Sequence, residues 1–142
     1  MPGPQIRVPG TPKGKRAAGG DLKARYNASG NDMRKWTSIA ATQVPSHQKQ
    51  HKQGVQMEIR AYFERPMEHH KRHNKGLRAT APVDHIQKPD ADNIAKFVGD
   101  CLSGLAFHDD AQIHNLTVKK LWSESARVEV DLFYGERNTK HK

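Results

Sequence analysis

The sequence predicts an α+β (mixed α/β) domain, a single small sheet with two main helices in two layers. Three observations carry that expectation. Apolar residues alternate with polar ones at 55–63 and again at 126–134, which is the period of a half-buried strand. Between Ile94 and Leu105 the period changes to that of a helix face. The chain has 142 residues, which suits one domain spanning 1–142.

In chain order, Gln5-Ile6-Arg7-Val8 alternates and predicts a short first strand. Pro9 to Gly30 is rich in Gly, Pro and Lys, and reads as a mobile basic arm. Asn31 or Asp32 caps a helix with apolar positions Met33, Trp36, Ala40 and Val44, ending before Pro45. Val55, Met57, Ile59, Ala61 and Phe63 form the inner face of the next strand. The stretch 65–80 holds five Lys/Arg and three His, and reads as a second mobile, solvated loop. Ile94, Phe97, Val98, Cys101, Leu102 and Leu105 share one helix side, with Asp90 or Asp92 at the cap and Gly104 at the stop. Gln112–Trp122 and Ala126–Tyr134 follow as two strands. Their closeness in sequence predicts an antiparallel hairpin through Ser123-Glu124-Ser125.

The formal net charge is +9, unevenly spread. Residues 1–57 carry ten Lys/Arg against two acids, whereas residues 84–110 carry six Asp against two Lys. Leu, Ile, Val and Phe number 25, about 18% of the chain, and 15 of them fall between Ile86 and Phe133. The core and the acidic island therefore share one stretch. No apolar run approaches a membrane span, and the start lacks a signal-peptide pattern, so a cytoplasmic protein is expected. Cys101 is the single cysteine, which excludes an intrachain disulfide and a cysteine-based zinc site. Its place on the apolar helix side predicts packing.

The acidic island invites a metal. Asp90-Ala91-Asp92 sets two carboxylates at a helix start, and Asp109-Asp110 follows the same helix. If the strand from Gln112 pairs near the segment leading into Asp90, the third carboxylate approaches the first two. Close carboxylates without a cation repel and raise one another's pKa. A few hard oxygen donors with room for waters and a phosphate oxygen suit Mg²⁺. An EF-hand is excluded, since positions 5, 6 and 12 from Asp90 hold Ile94, Ala95 and Cys101. No GxxxxGK[ST] occurs either. A plainer account of Asp92, Lys96 and Asp100 is an i, i+4 salt-bridge ladder on the exposed helix side.

Taken together, Lys88-Pro89-Asp90-x-Asp92-Asn93-x-x-Lys96, Asp100-x-Leu102-x-Gly104 and Asp109-Asp110-x-Gln112-Ile113 resemble the RusA family of Holliday-junction resolvases. The close match covers about residues 86–122. Val8-Pro9-Gly10-x-Pro12-Lys13-Gly14-Lys15-Arg16 is similar to that family's basic, Pro-rich start. The resemblance implies a Mg²⁺-dependent homodimeric endonuclease, with Mn²⁺ able to substitute, that nicks a four-way DNA junction symmetrically in recombination and repair. By position it implies Asp90, Asp92 and Asp110 as metal carboxylates, with Asp109 as the alternative of the adjacent pair, and Lys96 as the catalytic lysine.

A junction presents phosphates on several arms, so binding is expected to be electrostatic and salt-sensitive. Lys13, Lys15 and Arg16 in the arm, Lys71, Arg72, Lys75 and Arg78 in the loop, and Lys88 are the expected contacts. His69, His70 and His73 lack a fourth zinc ligand and read as part of a phosphate-contacting loop. Trp36 and Trp122 read as core residues. Two other functions compete. One is a non-cleaving DNA-binding accessory protein of the same ancestry, which the intact acids argue against. The other is a basic RNA-binding protein.

Overall fold

The computed structural model describes residues 1–15 and 22–136. Four strands form one mixed sheet: β1 (Pro2–Pro9), β2 (Val55–Glu64), β3 (Ile113–Ser123) and β4 (Arg127–Tyr134). Their order is β1-β4-β2-β3. Two helices, α1 (Leu22–Ala41) and α2 (Ala91–Leu102), pack on the sheet, and the expected α+β architecture holds. No helix among the described residues is long and apolar enough to cross a membrane.

Ile6 and Val8 from β1, Val55 through Phe63 at alternate positions of β2, and Val128, Val130, Leu132 and Tyr134 from β4 point to the helices. They meet Trp36 and Ala40 of α1 and Ile94, Phe97, Val98, Cys101 and Leu102 of α2. Trp36 stands edge-on to Phe97 with ring centroids 6.2 Å apart, which ties the two helices. The outer side of the sheet is charged. Arg60 pairs with Asp131 at 2.8 Å and Arg127 with Glu129 at 2.8 Å, while the Arg127 guanidinium lies 3.9 Å over the Tyr62 ring. Those partners let Glu129 sit buried and hold its carboxyl below the usual range, Arg127 contributing most.

Three expectations are corrected. β3 and β4 do not form a hairpin with each other. β2 lies between them, parallel to β3 and antiparallel to β4. Alternation marks a strand but not its partner, and α2 supplies the crossover that a parallel pair requires. The first helix begins at Leu22 rather than at Asn31, so 22–30 is not loop, and it ends at Ala41 with Val44 buried just beyond. Leu22, Lys23, Ala24 and Arg25 are good helix formers, outweighed in a composition reading by the surrounding glycines. β1 also extends to both flanking prolines; it lies at the sheet edge, where a missing N–H costs least.

The parallel pair fixes what the site becomes. In a strand–helix–strand crossover the helix runs back against the strands. The turn before β3 therefore meets the carboxyl-terminal half of α2, and Asp90 and Asp92 lie at the helix's other end. The expected stop at Gly104 is also displaced: α2 ends at Leu102, Ser103 is already extended at φ −64° and ψ 129°, and Gly104, at φ 82°, takes the left-handed turn that follows.

Candidate active site

α2 and β3 border a groove of about 390 Å³. Asp92, Ala95, Lys96 and Gly99 line it from α2, at the i, i+3, i+4 and i+7 positions that share one side of a helix. Asp110, Ile113, His114, Asn115 and Leu116 line it from the opposite wall, with Met57 of β2 on the floor. The strand side facing α2 thus leaves Leu116 half exposed beneath the acids.

Asp110 packs against the bare backbone of Gly99, where a Cβ would stand 3.7 Å from its own Cβ. Its carboxyl is pushed above the usual range by burial first, then by the Asp109 side chain and by the charge of Asp100, while Lys15 opposes them. The turn that presents it is pinned from behind. The Asp109 N–H donates to Gln112 Oε1 at 2.7 Å, and Gln112 Nε2 donates to the carbonyls of His51 and Gln53 at 2.8 and 2.7 Å. Asp109 is thereby engaged in the turn, and Asp110 is the member of the pair that faces the groove.

Lys96 Nζ stands 3.9 Å from Asp92 Oδ2, both well exposed, so this pair adds little stability and leaves the ammonium free to turn to a phosphate. The expected ladder does not continue to Asp100, whose Oδ2 instead accepts from Lys15 Nζ at 2.5 Å. Beside the groove, a cavity of about 470 Å³ is lined by Pro12, Lys13, Gly14, Lys15, Asp32, Lys88, Pro89 and Asn93. Acidic and basic recesses therefore flank the first turns of α2.

A family profile described as Endodeoxyribonuclease RusA matches residues 8–132. The chain belongs to the RusA endodeoxyribonuclease family. A curated relative, the uncharacterized protein YqaN of Bacillus subtilis (strain 168), is 38% identical over 79 residues. That match covers 54% of this chain and 54% of YqaN, so the chain spans about half the length of the relative it matches.

Of the residues expected for a RusA-type centre, the groove brings Asp92, Lys96 and Asp110 together. Asp90 is not among its lining, and its Oδ2 accepts from Lys88 Nζ at 3.1 Å. Gly99, the α2 position that meets Asp110, is seven residues beyond Asp92, which is about 10 Å along the axis. Accordingly, among the described residues no three His, Cys, Asp or Glu side chains are gathered closely enough to hold a metal. The two groove carboxylates and the surplus negative charge from Asp100 and Asp109 fit a hard cation that keeps several waters.

Lys13, Lys15 and Lys88 share the basic recess, and Arg16 lies outside the described residues. Lys71, Arg72 and Arg78 line a separate cavity of about 470 Å³ with Met67, Glu68, His70 and His73; Lys75 is exposed nearby. This loop has internal bonds: Lys71 N–H donates to Gly76 O at 2.8 Å, Arg78 N–H to His69 O at 2.9 Å, and Arg78 Nε to His70 O at 3.0 Å. His69 turns edge-on to Trp122 at 4.9 Å rather than outward. Trp36 and Cys101 are buried as expected, and burial pushes the Cys101 thiol up to about 11, which makes it inert.

Sequence reasoning missed His114. It lines the groove and its ring lies on Gly54, where a Cβ would come within 2.9 Å of His114 Cδ2. The available signal was its position four residues after Asp110, at the start of a strand.

Proposed function

We propose that this chain is a Mg²⁺-dependent, structure-selective endonuclease that resolves four-way DNA junctions by paired symmetric nicks, acting as a homodimer in the cytoplasm. The observation that carries it is the groove holding Asp92, Lys96 and Asp110 within a chain whose RusA-family match covers nearly its whole length. Asp92 and Asp110, with Asp90 by family position, would hold the cation. When bound, Mg²⁺ polarises a phosphoryl oxygen and lowers the pKa of water.

The chain's own residues account for the rest. Lys96 sits one helical turn after Asp92, where its ammonium neutralises the charge that builds on phosphorus during in-line displacement. Lys13, Lys15 and Lys88 bind backbone phosphates beside the acids, and Lys71, Arg72, Lys75 and Arg78 bind them on the second basic surface. Neutralising about six phosphates would give a slope of log K against log salt of about −5. Two coupled nicks require two active sites, which is the reason for a dimer.

A labelled four-way junction, compared with linear duplex of the same arm sequence in Mg²⁺, tests this reading. Paired nicks at the branch of the junction, with duplex left whole, are expected. Tight junction binding without nicks would assign the accessory role, and equal affinity for duplex RNA would remove the junction as substrate.

A further inference from the structure

The amino-terminal arm is built onto α2. Gly10 N–H donates to Ala126 O at 3.0 Å, Pro12 is buried, and Lys15 N–H donates to Asn93 O at 2.9 Å. At Gly14 a Cβ would stand 2.8 Å from Pro89 Cβ and 3.1 Å from Asn93 Cβ, so the backbone passes too close to the helix for any side chain. This seating aims Lys15 along α2 to its 2.5 Å pair with Asp100. Asp100 is the neighbour of Gly99, on which Asp110 packs, and the Lys15 and Asp110 charges act on each other. The ammonium therefore stands among the carboxylates where a divalent cation would need negative charge.

We propose that Lys15 is a positioning residue of the active site, a counter-ion carried by the arm that holds Asp100 beside the Asp110 turn and competes with the divalent cation for their charge. The inference rests on the metal-dependent nuclease reading but concerns residues which that reading leaves as a plain phosphate contact and an exposed helix acid. Two cations near the same carboxylates repel, so each weakens the binding of the other. Arrival of metal would release Lys15 toward the phosphate recess that it already lines with Lys13 and Lys88. Docking of the arm and loading of the acids would then be linked.

Mn²⁺ binding to the full chain without DNA, followed by the electron paramagnetic resonance signal of free Mn²⁺, tests this directly. Lys15→Gln should lower the half-saturating Mn²⁺ concentration on the order of tenfold. Lys15→Arg, which keeps the charge, should stay within about twofold of wild type. Asp100→Asn should shift the midpoint the other way, because a negative charge is lost and Lys15 is left to Asp110. Opposite shifts distinguish a competing cation from a mere structural staple, whose loss would weaken Mn²⁺ binding in both variants. Where Lys15→Gln does not fold, Lys15→Met keeps the aliphatic stem over α2 and should give the same shift. Weaker or unchanged Mn²⁺ binding on loss of the Lys15 charge would overturn the proposal alone, provided that Asp110→Asn abolishes uptake. Absence of Mn²⁺ uptake by the wild-type chain would overturn it together with the metal reading.

Discussion

The groove between α2 and β3 gathers carboxylates over an apolar floor, whereas the loop at 65–78 gathers cations around a recess of similar size, about 390 against 470 Å³. The two are held differently. Groove residues come from a helix packed through Phe97 and Leu102 and from the start of β3, an edge strand paired along its length with β2, with Gln112 bracing the turn. Loop residues come from short helical turns closed by the loop's own backbone bonds. Chemistry at phosphorus needs groups placed to a fraction of an ångström, while attraction of a polyanion needs only charge in the right region. The acids thus sit on packed regular elements, and the loop cations on short turns held by local bonds.

Neutralising the groove acids should have the largest effect. Asp92→Asn and Asp110→Asn should each lower the cleavage rate by about a thousandfold or more and leave junction affinity within about twofold, read by single-turnover cleavage and by gel shift without Mg²⁺. Asp90→Asn, although outside the groove lining, should lose rate on the same scale. Full activity in that variant would reduce Asp90 to the partner of Lys88. Next, Phe97→Ala should cost about 3–5 kcal/mol of stability in urea unfolding, because it leaves a cavity where α2 meets α1 and the sheet.

A smaller effect should follow from Lys71→Ala with Arg72→Ala and Lys75→Ala. Junction affinity should fall about tenfold or more and the salt slope should flatten by about one unit per charge, with the saturated cleavage rate unchanged. A rate loss as large as that of Asp110→Asn would show that the loop belongs to the catalytic centre. The smallest effect concerns His85, which stacks on Phe63 at 3.6 Å and meets Trp122 edge-on at 4.6 Å, its Nδ1 without a hydrogen-bond partner among the described residues. Burial first, and then the Lys120 charge, lower its pKa from 6.5, so the folded chain prefers it neutral. The unfolded chain takes up the proton first, so this stability is full above pH 6.5 and is lost as pH falls below it. Tm should drop between pH 7 and pH 5 through this group, and His85→Phe should remove that part of the drop.

The motif residues and α2 were legible because a helix writes its packing side at a 3.6 period and the acids lie next to it in sequence. The strands were legible as strands, but their order was not. Alternation in β3 is the same whether it pairs with β2 or β4, and only the intervening α2 hints at the parallel choice. The start of α1 was hidden by glycines on either side of Leu22–Ser29. At the site, the sequence supplied Asp92, Lys96 and Asp110, but Lys15 and Asp100 lie 85 residues apart and no local pattern joins them. Nor does local pattern tell that Asp90 and Asp110 lie toward opposite ends of α2, since that follows from the crossover.

On the proposed function, the acidic groove is a metal-dependent centre for cutting branched DNA. Cleavage of a four-way junction by the full chain, first in EDTA and then with Mg²⁺ restored, tests this. Paired symmetric nicks that appear only after Mg²⁺ is added, and that Asp110→Asn fails to make while still binding the junction, are the predicted result. Cleavage undiminished in EDTA, or junction binding with no nicks at any Mg²⁺ concentration, would contradict it.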